Sequence, residues 1–216
     1  MVTWFPQHRT LRRAAAVAVL AASCASAQEG DAPAELIDAA LSAWTVENAA
    51  PGAFVVSDGV LRVTAPEGWL RSTETYGDIR LTAEFRFLTE DADSGIFLRA
   101  RDRAGEFIRG WPNESYQVQL RNPLGESPFP PVGGIFRHGM PDGETIFEPA
   151  DAARLSTGTN AWQTLVVEVV GERLTVDLNG ERLAEASGIA NAAGRIGLQS
   201  ETGSLEFRSI VVEPLD

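Results

Sequence analysis

Ile79-Arg80-Leu81-Thr82-Ala83-Glu84-Phe85-Arg86-Phe87-Leu88 decides the fold class. Leu81, Ala83, Phe85 and Phe87 fall on every second position, and Arg80, Thr82, Glu84 and Arg86 fill the alternate ones. A period of two belongs to a strand with one buried face; a helix would repeat every 3.6 residues. Shorter runs of the same kind lie on either side. Ala53 to Val56 and Val60 to Val63 flank the turn Ser57-Asp58-Gly59. Thr164 to Val170 and Leu174 to Leu178 flank Gly171-Glu172-Arg173, and Asn179-Gly180 turns the chain into Glu181 to Ala184. Ser94 to Ala100, Tyr116 to Arg121, Gly133 to His138, Arg195 to Gln199 and Ser204 to Val212 complete the set. So many short strands, punctuated by Gly and Pro, predict an all-β sandwich or barrel. Leu36 to Trp44 could form one or two helical turns. Arg101–Ser115, Pro123–Val132 and Met140–Asn160 read as long loops, the usual carriers of binding groups in a compact β domain.

The 216 residues hold 30 acidic side chains against 18 basic ones, all of them arginine, for a net charge of −12. Without lysine there is no Schiff-base chemistry and no P-loop lysine. Residues 1–27 read as an export signal: Arg9, Arg12 and Arg13 precede the apolar Ala14 to Ala22, and Ala25-Ser26-Ala27 is a small-residue cleavage site. The alternative is a lipoprotein signal ending before Cys24, which would anchor the protein through a lipid on that residue. Either reading places the protein in the periplasm or outside the cell. The apolar run is far short of the ~20 residues of a transmembrane helix. Cleavage removes the one cysteine and His8, and takes the net charge to −15. The remainder has no disulfide, thiol nucleophile or cysteine–zinc site, and one imidazole, His138. Such an acidic chain is a poor partner for nucleic acid. Residues 28–35 read as a flexible lead-in and 36–216 as a single domain.

Alternation also sorts polar residues by face. With Ile96, Leu98, Tyr116, Val118 and Leu120 in the core, Gly95, Phe97, Arg99, Gln117, Gln119 and Arg121 take the other face, joined by Gln199. Glu84 is expected on that outer face too. Amides and a guanidinium on a sheet, with Trp111 on a nearby loop, suit a sugar, whose hydroxyls want paired donors and acceptors and whose ring wants an aromatic platform. A solvated outer face is the plainer alternative. Trp44, Trp69 and Trp162 read as core residues. Glu90, Asp91 and Asp93 read as a solvated acidic turn rather than a calcium site.

From Trp44 onward the chain resembles the 3-keto-disaccharide hydrolase family. The matching pieces run in order: Asp58-Gly59-Val60-Leu61, Gly68-Trp69-Leu70, Tyr76-Gly77-Asp78-Ile79, Glu84-Phe85-Arg86 and Asp93-Ser94-Gly95-Ile96-Phe97-Leu98-Arg99. Tyr116-Gln117-Val118-Gln119, Gly133-Gly134-Ile135-Phe136-Arg137, Ala161-Trp162-Gln163-Thr164, Leu178-Asn179-Gly180, Gly194 to Gln199 and Glu206 to Ile210 follow. The resemblance implies a concanavalin A-like jelly roll of two antiparallel sheets, with a sugar cleft on the concave sheet. It also implies cleavage of glycosides that carry a ketone at carbon 3. The ketone acidifies the C2 hydrogen, a base removes it, and the C1 substituent leaves; water then adds back. One base, one acid and an enolate stabiliser suffice, in place of the two spaced carboxylates of ordinary glycosidases.

For those roles His138 is the candidate base, Glu84 the candidate acid and Arg99 the candidate partner of the enolate oxygen. Trp111, Gln117, Gln119, Asn122, Arg137 and Gln199 are the candidate substrate-binding residues. The sequence itself calls for no cofactor. A divalent metal could hold the enolate, on oxygen ligands plus at most His138. Many relatives have Glu where this chain has Gln117, Asp where it has Asn122, and Asp-His where it has Ser200-Glu201. Amides keep the hydrogen bonding but lose the charge. That favours the alternative reading, a non-catalytic carbohydrate-binding module using the same face.

Overall fold

The computed structural model describes residues 32–101, 107–108 and 110–215. The expected export signal at 1–27, with His8 and Cys24, lies outside the described residues, as does the first half of the expected lead-in, 28–31. Its last two residues, Ala34–Glu35 (β1), pair with the closing strand, Ala34 opposite Val212.

Two antiparallel sheets make the sandwich. The larger has nine strands. Its neighbours run β12 (Thr145–Phe147), β15 (Glu181–Ser187), β14 (Arg173–Leu178), β13 (Gln163–Val170), β6 (Ile79–Phe87), β17 (Ser204–Pro214), β4 (Val60–Thr64) and β3 (Phe54–Ser57), with β1 also on β17. The six-stranded sheet runs β11 (Ile135–His138), β10 (Ser115–Gln119), β7 (Gly95–Ala100), β16 (Arg195–Ser200), β5 (Gly68–Ser72) and β2 (Trp44–Glu47). A short ribbon pairs β8 (Phe107–Ile108) with β9 (Trp111–Pro112). The all-β sandwich expected from the alternation is therefore the fold.

The predicted turns form for the predicted reason. Asp58-Gly59 and Asn179-Gly180 each close a two-residue hairpin with positive φ at both positions, the geometry for which Asp-Gly and Asn-Gly are suited. Leu36 to Trp44 does not become helical: Asp38 accepts from the backbone N–H groups of Ala40 and Ser42, a local turn that competes with a helix. Within Met140–Asn160, read as a loop, β12 and a short helix, α1 (Pro149–Leu155), are built. Pro149 starts the helix, Glu148 caps it, and Ala152 and Leu155 turn inward.

The two sheets are covered differently. Leu81, Ala83, Phe85 and Phe87 of β6 share one core with Ile96 and Leu98 of β7, Val118 of β10 and Leu198 of β16. Each large side chain so buried stabilises the fold by about 1.5–3 kcal/mol. The outer face of the nine-stranded sheet is a lattice of charges. Glu206 takes Arg62 and Arg86, and the Arg86 and Arg208 guanidinium groups lie 4.5 and 4.8 Å from the Trp162 ring centre. Trp162, expected in the core, is thus a half-buried spacer on the outside. In the six-stranded sheet, β7 and β10 are buried on both faces. Beyond the main core, Trp69, Phe97, Ala100 and Trp111 form a second apolar cluster.

Candidate functional site

The outer face of the six-stranded sheet is where the sequence's polar residues converge. Gln117 and Gln119 project from β10 and Gln199 from β16, all at most 3% exposed. With His138 and Phe136 of β11, Glu201, Trp111 and Phe129, they line a cleft of about 170 Å³, partly open to solvent. That is below the ~300–1,000 Å³ of drug-sized ligand sites. Trp111 sits on β9 of the ribbon. Its Nε1–H is buried and has no hydrogen-bond partner among the described residues. A buried donor left unpaired is costly unless a ligand or water completes it.

A continuous chain of hydrogen bonds crosses the floor. His138 Nε2 and Gln117 Oε1 lie 2.7 Å apart. Gln117 Nε2 donates to Gln119 Oε1 at 2.7 Å and to Gln199 Oε1 at 2.8 Å. Gln119 Nε2 then donates to Asp93 Oδ1 at 2.7 Å, and Gln199 Nε2 to Glu201 Oε2 at 3.0 Å. Gly95 makes room for this: a methyl group there would overlap Gln117 Nε2 and lie 2.8 Å from its Cγ.

Two titrations are displaced. The His138 ring stacks on Phe136 at 5.9 Å and meets Phe97 edge-on at 6.0 Å. Desolvation holds it below the usual imidazole value of 6.5, so the ring is neutral at neutral pH. Burial pushes the Asp93 carboxyl up to about 6, against the pull of Arg121 and the Ser94 N–H.

Four candidates lie elsewhere. Glu84 is on β6, in the other sheet, and its carboxylate takes Arg208 at 2.9 and 3.0 Å on the outer face. Alternation gave its face but not its sheet. Arg99 is turned away from the cleft by a bulge. Two residues of β7, Leu98 and Arg99, oppose Ile196 alone, and Arg99 has φ of 48°. The extra residue reverses the alternation, so Ala100, not Arg99, follows Phe97 into the outer cluster. Arg99 instead joins Asp78 at 2.7 Å and the carbonyls of Gly171 and Asn191, tying the ends of the two sheets. Arg137 alternates with His138 and faces the opposite way, 5.5 Å from the Tyr116 ring centre and donating to Ser187 O at 2.7 Å. Asn122 is fully buried, donating to Thr89 O and Thr159 Oγ1 and accepting from Leu124 N–H.

Phe136, Glu201 and Asp93 were missed, although each has a same-face signal. They stand two residues from His138, Gln199 and Gly95 respectively. Phe129, in the proline-rich loop, has no periodic signal at all. The described residues gather no group of three or more His, Cys, Asp or Glu side chains. They therefore do not match a metal centre of that kind.

Residues 33–213 match the family model for the 3-keto-alpha-glucoside-1,2-lyase-like domain. The chain belongs to this family. Members of it are glycoside-active. No curated protein matches the chain. Among solved structures, a proposed glycosyl hydrolase from Parabacteroides distasonis superimposes with a TM-score of 0.65 at 18% identity, covering 86% of this chain and all of that one. A second from the same organism gives 0.61 at 14% identity, covering 82% and 90%. The carbohydrate binding module CBM66 from Bacillus subtilis gives 0.52 at 13% identity, covering 79% and 95%. These likenesses establish the lectin-like concanavalin A fold of the sandwich.

Proposed function

We propose that this protein is an exported lyase or hydrolase of 3-keto-glycosides, with His138 as the base. The single observation that carries the reading is a neutral, desolvated imidazole in a cleft whose wall includes Trp111, a residue with a buried N–H donor that has no partner among the described residues. In the proposed reaction His138 takes the C2 proton, and the C2–H electron pair forms the enolate with the C3 ketone. The Trp111 N–H hydrogen-bonds the developing oxyanion. The enolate then re-forms the ketone as the C1–O bond breaks, and the leaving oxygen takes the proton back from the imidazolium. Addition of water across the resulting double bond gives net hydrolysis. Glu84 and Arg99 have no part in this scheme, because neither reaches the cleft.

A second reading is a carbohydrate-binding module. It is favoured by a floor built from three amides, which bind hydroxyls well and move no protons. The test is release of a chromogenic aglycone from a 3-keto-glucoside by the purified protein beside His138→Ala, with and without chelator. Release that depends on His138 supports the enzyme. No release, together with saturable binding of the unoxidised glycoside, supports the module.

A further inference from the structure

His138 touches no carboxylate among the described residues, yet the hydrogen-bond chain behind it reaches two. Carboxylates accept and cannot donate when ionised, whereas an amide presents a donor at one end and an acceptor at the other. Asp93 therefore requires the Nε2 end of Gln119, which turns Gln119 Oε1 toward Gln117. Glu201 requires the Nε2 end of Gln199, which turns Gln199 Oε1 toward Gln117 as well. Both hydrogens of Gln117 Nε2 are thereby used, and Gln117 Oε1 is left facing the imidazole. An oxygen there calls for an N–H from His138. Reversing the chain would set an amide oxygen against a carboxylate at the end of each arm. All three glutamines are at most 3% exposed, so bulk water offers no easy substitute.

We propose that Asp93 and Glu201 are positioning residues that, through Gln119, Gln199 and Gln117, hold His138 as its Nε2–H tautomer and leave Nδ1 as its proton-accepting atom. Nδ1 has no hydrogen-bond partner among the described residues. Protonation at Nδ1 leaves the whole chain in place, since Nε2 remains a donor. The two negative charges at the ends polarise it in the sense that favours the imidazolium. The consequence for turnover rests on the catalytic reading above; the tautomer itself does not.

The full chain has two histidines, so ¹⁵N-histidine labelling gives at most two imidazole spin systems, and loss of one in His138→Gln assigns the other. In the wild type above its titration, Nε2 is expected at a protonated, pyrrole-like shift and Nδ1 at a bare, pyridine-like one. Asp93→Asn or Glu201→Gln alone should keep that tautomer, because the other arm still directs Gln117. Glu201→Gln should lower the His138 midpoint by a few tenths of a pH unit through the lost charge, whereas Asp93→Asn should move it less, because Asp93 itself titrates at about 6. The double variant should draw the two nitrogen shifts toward each other. An Nδ1–H tautomer in the wild type overturns the proposal even if the double variant fails to fold. So does an unmoved midpoint in Glu201→Gln. Correct shifts without turnover of a 3-keto-glucoside would sink the catalytic reading and leave this one standing. Turnover with an Nδ1–H imidazole would do the reverse.

Discussion

Phe136 and His138, two residues apart on one strand, stack ring on ring at 5.9 Å with 20° between their planes. That contact, with Phe97 edge-on, keeps water from the imidazole and depresses its protonation. A base works only when unprotonated, so kcat/KM for a 3-keto-glucoside should rise with pH to a plateau. The midpoint should lie below 6.5. Phe136→Ala admits water and should move the midpoint upward. An unchanged profile in that variant would disconnect the stack from the titration.

Trp111 offers a second handle, because its ring and its N–H can be separated. Trp111→Phe keeps an aromatic wall and deletes the unpaired donor. Turnover should fall by about 10- to 100-fold if that N–H meets the oxyanion, the typical cost of one such donor or somewhat less. Folding should change little, since no hydrogen bond to a described residue is lost. Kinetics and a thermal melt on the same preparation separate the two effects.

Asp93 makes stability depend on pH in an unusual direction for a carboxylate. Its folded value of about 6 lies above the ordinary 3.8. Between those values the native state keeps a proton that the unfolded chain has released, so stability falls as pH rises through that window. Asp93→Asn carries no such penalty. Its melting temperature should gain on the wild type from about pH 4 to about pH 6 and keep the gain above that. A difference that is flat with pH would show that burial does not govern this carboxyl.

Arg99 was expected to face ligand and instead fastens the sandwich. Its side chain is 3% exposed, and Asp78 and two backbone carbonyls depend on it. Arg99→Met should lower stability by about 1–3 kcal/mol, because the Gly171 and Asn191 carbonyls lose their donor while Asp78 stays partly solvated. A chemical denaturation curve measures this. Ligand affinity of the fraction that remains folded should be unaffected, and a selective loss of affinity would return Arg99 to the cleft.

These outcomes show what the sequence made legible. The period-two pattern of Ile79 to Phe87 and the two X-Gly turns carried the fold, because alternation and positive φ are local properties. The same alternation placed Gln117, Gln119, Gln199 and His138 on one face. It failed at Glu84, because a face has no label for which sheet it belongs to. It failed at Arg99, because one extra residue in a bulge inverts every later assignment. Arg137 differs in parity from its neighbour His138, and Asn122 lies beyond the end of β10 at Gln119, where alternation no longer assigns a face. Asp93 read as a solvated turn because nothing in its own neighbourhood reveals that Gln119, 26 residues on, would reach it.

Gly95 ties the backbone to the chemistry most directly. It lies beside Gln119 in the register of β7 and β10, under the amide of Gln117. Alanine is acceptable to a strand, and Gly95 has no positive φ to protect. The added methyl must nevertheless displace Gln117, because the backbone of a central strand does not yield. Overpacking of this kind costs about 1–3 kcal/mol, which a domain of this size can absorb. Gly95→Ala should therefore fold, with a lowered melting temperature, while Gln117 loses its place between His138, Gln119 and Gln199. Sugar binding and turnover should both fall by at least about 10-fold, as expected when a buried hydrogen-bond network is opened. Gln117→Ala in the same background removes the clash but leaves Gln119 Oε1 and Gln199 Oε1 without their donor, so it should not restore function, and any recovery of melting temperature should be partial. If Gly95→Ala retains full activity, the amide chain has no part in it, and the cleft must work through its aromatic walls alone.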